Sequence, residues 1–176
     1  MNRRKFIKAS VIGGLATGVG GSALWFSIEP TKESLTIDAA LAKLEGLPIT
    51  KLSTTGEWNL YQIFTHCAQS VEYSMSGFPQ HKPELFKNTV GQLAFSLFSS
   101  KGKMTHSLSE AIPGAKAFSS VEETEVALAR FKKSMIAFKA FEGNLAPHFA
   151  YGDLSKEEYE IAHAMHFYNH LQEVQS

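Results

Sequence analysis

The sequence predicts an all-α protein, a four-helix bundle led by a short extra helix. Three observations carry this reading. Apolar residues recur at helical spacing over long stretches, Leu128, Phe131, Met135 and Phe138 among them. Capping-box start signals stand at Ser120-Val-Glu-Glu123 and Ser155-Lys-Glu-Glu158. No stretch alternates convincingly enough to compete as a strand. The 176 residues suffice for one domain with a substantial core, and 44% hydrophobic with 19% charged residues is an ordinary globular balance. In chain order, residues 29–35 read as a linker and 36–176 as the domain. The short helix carries Ile37, Leu41 and Leu44 and ends at Gly46 and Pro48. The first long helix spans Glu57 to Ser76 and stops at Gly77-Phe78-Pro79. The next runs from Pro83 to Ser99, before a loop with Gly102, Pro113 and Gly114. The fourth starts at the Ser120 box and ends near Gly143-Asn144. The last starts at the Ser155 box and reaches Val174.

Residues 1–28 stand apart from the fold. They hold Arg3, Arg4, Lys5 and Lys8, no acid, and a mildly apolar stretch from Ala9 to Ile28 with five glycines. Paired arginines, an apolar residue two positions on, a lysine and a weakly hydrophobic core resemble a twin-arginine (Tat) export signal. The resemblance implies passage through the Tat export machinery in the folded state, to the periplasm or cell envelope. A segment of about 20 apolar residues also spans a bilayer, and only Ser22-Ala23-Leu24 approximates a cleavage site, so an uncleaved membrane tether is the alternative. Without this segment 13 basic residues face 17 acidic ones, and Arg130 is the one remaining arginine. Such a surface lacks the basic patch that nucleic-acid binding requires. The single cysteine, Cys67, forms no internal disulfide.

The chemistry concentrates in histidine. His163, His166 and His170 fall within a sector of roughly 60° on the last helix. His66 sits on the first long helix. Its core stripe is Leu60, Ile63, Phe64, Cys67, Val71 and Met75. A second stripe of Trp58, Gln62, His66, Gln69 and Tyr73 lies roughly 90° or more away. That mixture reads as the wall of a pocket, or else as a partly exposed amphipathic face. On the last helix Tyr159 and Glu173 share the histidine side. Glu173 is read as an acceptor for an imidazole N–H, a proton shuttle, or a solvated acid. His148, between Pro147 and Gly152, faces the pocket mouth or bonds its own loop. His81 and His106 are read as solvated, and Cys67 as a small buried residue. Neutral imidazole is the commonest transition-metal ligand, and a pair at i, i+4 plus one from another helix leaves an ion open on one side. No Glu-x-x-His pattern repeated on paired helices supports a di-iron site, and no His-Glu-x-x-His run supports a zincin protease.

The segment Trp58-Asn-Leu-Tyr-Gln-Ile-Phe-Thr-His66 through Pro79, together with Pro147-His-Phe-Ala-Tyr-Gly-Asp-Leu-Ser155 and the histidine-rich last helix, resembles a bacterial branch of the DinB/YfiT-like superfamily. The resemblance covers most of residues 35–176. It implies a four-helix bundle holding one divalent metal through three ligands, here His66, His166 and His170, with His163 a lesser candidate. Some relatives are thiol-dependent transferases or isomerases; an export signal departs from those cytoplasmic enzymes. The expectation is an exported metal-dependent hydrolase or transferase holding Zn²⁺, Ni²⁺, Mn²⁺ or Fe²⁺. Gln62, Gln69, Tyr73 and Glu173 would orient a small-molecule substrate or move protons. The alternatives are a non-catalytic, stress-related binder of metal or small ligands in the envelope, and a histidine face that serves as a packing or homodimer surface.

Overall fold

The structure, a computed structural model, describes residues 34–119 and 123–176. The expected export signal and most of the linker lie outside the described residues, as do the first three positions of the Ser120 box. The protein is mostly helical, in keeping with an all-α class. Among the described residues no helix is long and apolar enough to cross a membrane.

Helix α1, Ile37–Glu45, starts where the Thr36 hydroxyl accepts the Ala39 N–H. It buries Ile37, Ala40 and Leu44, and Asp38 meets the Lys139 ammonium at 2.6 Å. Helix α2 is Leu60–Ser76, three residues shorter at its start than the sequence predicts. Asn59 stops it there: its side chain accepts from the Gln62 N–H at 3.0 Å, and Gln62 Oε1 accepts from the Asn59 N–H at 2.9 Å. Trp58 therefore precedes the helix instead of riding on it.

The expected third helix is present but irregular. A single turn, α3 (Glu84–Phe86), passes through a π-helical turn at Lys87–Gly91 into α4, Gln92–Lys101. Gly91 is required there: a Cβ would come within 1.9 Å of the Ala150 carbonyl oxygen. Helix and 148–152 loop thus touch backbone to backbone.

Helix α5, Thr124–Ala140, follows Glu123, which caps nothing through its side chain. It ends before Gly143-Asn144 because Phe141 is already extended. The Lys156 ammonium donates to the carbonyls of Lys139 and Phe141 at 2.9 and 2.6 Å, which satisfies the frayed end. Helix α6, Lys156–His170, opens with the expected box: Ser155 Oγ accepts from the Glu158 N–H at 3.2 Å and Glu158 Oε2 from the Ser155 N–H at 2.8 Å. It stops at His170, four residues short of Val174, and a 3₁₀ turn, Leu171–Glu173, follows. Strand β1 (Ser53–Thr54) then pairs antiparallel with β2 (Val174–Gln175). Two residues per strand are too few for any alternation to register in sequence.

Helices α1, α2, α5 and α6 share one apolar core in which Ile63, Phe64, Phe131, Met135, Phe138 and Phe167 are fully buried. Arg130 clamps α5 to α2 through both oxygens of Glu72, at 2.8 and 2.5 Å. A smaller cluster of Phe95, Met104, Ala162 and Met165 fastens α4 and the following loop to α6. Helix α6 is consequently buried almost all round, its histidines included.

Asn59→Ala should cost about 1 kcal/mol of stability, and Gln62→Ala a few tenths of that, in denaturant unfolding. A Gln62→Ala variant of unchanged stability would mean that its carboxamide is not spent on the cap.

Candidate metal centre

Helix α2 presents His66 to the face of α6 that carries His166 and His170 one turn apart. The His66 and His166 Nε2 atoms are 3.0 Å apart, and those of His166 and His170 are 3.2 Å apart. All three offer a ligand nitrogen within 4.8 Å of the others. Nitrogens bound about 2.0–2.1 Å from one ion stand roughly 3 Å apart, so the spacing suits a shared cation. Hydrogen bonding alone suits it poorly. The single lone pair of His166 Nε2 cannot serve two converging N–H groups.

All three rings are buried, His170 completely. Desolvation holds His66 to a pKa of about 3 and His170 to about 2, with neighbouring imidazoles adding to the effect. His166 is lowered well below its ordinary value for the same reasons. The cluster is therefore neutral, the state in which imidazole binds metal. Trp58 backs it, its ring stacked on His170 at 5.9 Å and edge-on to His66 at 4.9 Å. The Nδ1 atoms of His66 and His170 are buried without a protein partner, so no carboxylate raises the basicity of either ring.

His66 and His166 open onto a cavity of about 330 Å³, at the small end of small-molecule sites. Its polar lining includes Ser70, Lys82, His106 and Glu110; Phe86, Phe149, Tyr151 and Ile112 supply apolar walls. His106 is not solvated, contrary to the sequence reading. Its ring lies 5.0 Å from His166 and 5.2 Å from His170, and its Nε2 is buried without a partner. Helical periodicity cannot place a residue on the 102–119 loop, and no signal in the sequence brings His106 here. Glu110, on the same loop, was missed for the same reason.

Other expected site residues fall elsewhere. Gln62 is spent on the α2 cap. Gln69 Nε2 donates to the Lys116 carbonyl at 2.8 Å, and the Tyr73 hydroxyl accepts from the Lys116 N–H at 3.5 Å. Neither lines the cavity. Tyr159 is fully buried in the core and donates to the Ala146 carbonyl at 2.7 Å. Glu173 folds back on Gly56, where a Cβ would meet its carboxylate, and its backbone carbonyl accepts from the Thr55 N–H. The 3₁₀ turn after His170 has by then rotated it out of the histidine row.

His163 and His148 line the cavity without joining the cluster. The Ser74 hydroxyl donates to the Val71 carbonyl, so towards His163 Nε2, 3.1 Å away, it accepts. That nitrogen carries the proton and has no lone pair for a metal. His148 Nδ1 accepts from the N–H groups of Ala150 and Tyr151, both at 3.1 Å, which puts its proton on Nε2. Burial lowers both rings to a pKa of about 3. Cys67 is buried on the core stripe, and burial pushes its thiol up.

Fold and site together define a mostly helical protein with a neutral three-histidine cluster, close enough to hold a metal ion, on the wall of a small cavity. The chain belongs to the family described as "Protein of unknown function (DUF1569)", which matches residues 31–176. No curated protein and no solved structure matches it.

The metal-free protein should lose stability as pH falls from about 6.5 towards 3. The unfolded chain then takes up protons that the buried histidines refuse, at about 1.4 kcal/mol per pH unit for each. Above pH 7 the contribution is complete. Thermal unfolding across this range checks it; a flat profile would show that these rings protonate in the folded state.

Proposed function

We propose that this chain is an exported metal-dependent enzyme built as a DinB/YfiT-like four-helix bundle, of hydrolase or transferase type. The observation that carries this reading is the convergence of the three Nε2 atoms on one point beside a cavity. The converging residues are those that the resemblance implies: His66 from an early helix, and His166 and His170 four residues apart on the last. A divalent ion held there, Zn²⁺, Ni²⁺, Mn²⁺ or Fe²⁺, supplies a Lewis acid that activates a water or thiol or polarises a carbonyl. Three neutral ligands leave its full charge in place, and Lys82 adds another positive group to the lining. The cavity therefore suits a small, anion-bearing substrate. Glu110, a carboxylate in that lining, takes the proton-transfer role expected of Glu173. Reduced thiols are scarce outside the cytoplasm, which favours water over thiol as the nucleophile in the exported protein.

A non-catalytic envelope binder is the second reading. It is favoured by the distance of Gln62, Tyr73 and Glu173 from the cavity, which leaves few groups for acid–base work.

The full-length protein should carry about one divalent ion per chain by elemental mass spectrometry. His66→Ala, His166→Ala and His170→Ala should each lose it while circular dichroism stays helical; His163→Ala should keep it. Full metal content in the first three variants overturns the site. For turnover, a panel of small anionic esters and amides is the first screen. Glu110→Gln should retain metal and lose about 10²-fold in kcat against any substrate found. Unchanged turnover would remove Glu110 from the reaction, and a metal-loaded protein inert to the whole panel favours the binder.

A further inference from the structure

We infer that His106 is a fourth ligand, carried on a loop, that closes the ion's coordination until a small anion entering the cavity takes its place. The inference rests on the three-histidine reading above and deepens it.

Ring positions carry it. Imidazoles sharing one tetrahedral ion through bonds of about 2.0–2.1 Å have centroids about 5 Å apart. The three helical histidines show 4.8, 5.0 and 4.9 Å. His106 adds 5.0 Å to His166 and 5.2 Å to His170. Its ring thus stands beside two of the three, at the spacing the helical histidines keep among themselves.

Its hydrogen bonding points the same way. His106 Nδ1 lies 2.6 Å from the Ser107 carbonyl oxygen, which can only accept, so Nδ1 holds the proton. Nε2 is left with a bare lone pair, buried and without a partner. A backbone carbonyl fixing the tautomer of a ligating imidazole is the usual outer support of a metal site, and among the four rings His106 is the one that shows it.

The attachment differs too. His66, His166 and His170 ride on helices whose caps fix their register. His106 stands in an irregular stretch between α4 and α5, lines the cavity and is half-buried. Its nitrogen is not yet within the 4.8 Å set, so ligation draws the loop inward. Four protein nitrogens make a closed, structural type of centre, whereas three make an open one. The ligand with the softest tether is the one that an incoming anion displaces.

The test uses the full-length protein loaded with Co²⁺, whose visible absorption reports the number and kind of ligands. Wild type should show an intense four-coordinate band that small amounts of imidazole leave unmoved and that azide shifts. His106→Ala should still bind one Co²⁺ but with a shifted band, which imidazole restores, and its Zn²⁺ dissociation constant should rise tenfold or more. His106→Gln, which keeps the bulk, should behave alike. An unchanged band and affinity in both variants overturns the role of His106 and leaves the three-histidine site standing. Failure of the wild type to bind Co²⁺, or binding indifferent to His66→Ala, overturns that site and this inference with it.

Discussion

The structure depends on keeping three imidazoles dry and uncharged between α2 and α6. Charge on any one of them would have to be buried beside two like neighbours, a cost that a domain of this size does not absorb easily. The rings are held in place from a distance. The Asn59–Gln62 box starts α2 at Leu60, and the Ser155–Glu158 box starts α6 at Lys156. Each box fixes where its helix begins, and therefore the angle at which every later residue emerges. With α5 packed along α2 and clamped by Arg130, neither helix can turn its histidines away without dismantling the phenylalanine core.

The polar stripe on α2 has a different task from the one its composition suggests. From the stripe Gln69 and Tyr73, and from beside it Tyr61, reach the backbone of the loop between α4 and α5, at Lys116 and Ser119. Met104 and Ile112 bury the same loop from below. The stripe is an anchor that holds a long irregular segment over the histidine cluster, and the cavity is the space between the two. The π turn at Lys87–Gly91 closes the other side, since it lets the helix touch the strand-like bridge between His148 and Gly152.

Much of this was legible in the sequence, for definite reasons. Helix starts were read where side chains declare them, as at Ser155. A helix converts spacing into direction, which put His163, His166 and His170 on one face, and the resemblance singled out His66, His166 and His170 as the metal candidates. The same conversion misled at Glu173 and Trp58, which were placed by extending helices past their true ends. Tyr159 looked like a wall residue because it shares the histidine side of α6, yet it is buried in the core, where the Ala146 carbonyl accepts from its hydroxyl. His163 stands outside the cluster and meets Ser74, 89 residues earlier in the chain, a contact invisible to local pattern. His106 and Glu110 were out of reach because loops carry no periodicity.

Trp58 gives the centre an optical label. Its indole lies within 8° of parallel to the His170 ring and edge-on to His66, so whatever those two bind alters its surroundings directly. The chain has one other tryptophan, Trp25, and that lies within residues 1–28, outside the described domain. A chain shorn of that segment emits from a single indole seated against the cluster, so its fluorescence would report any ion bound there without any added dye.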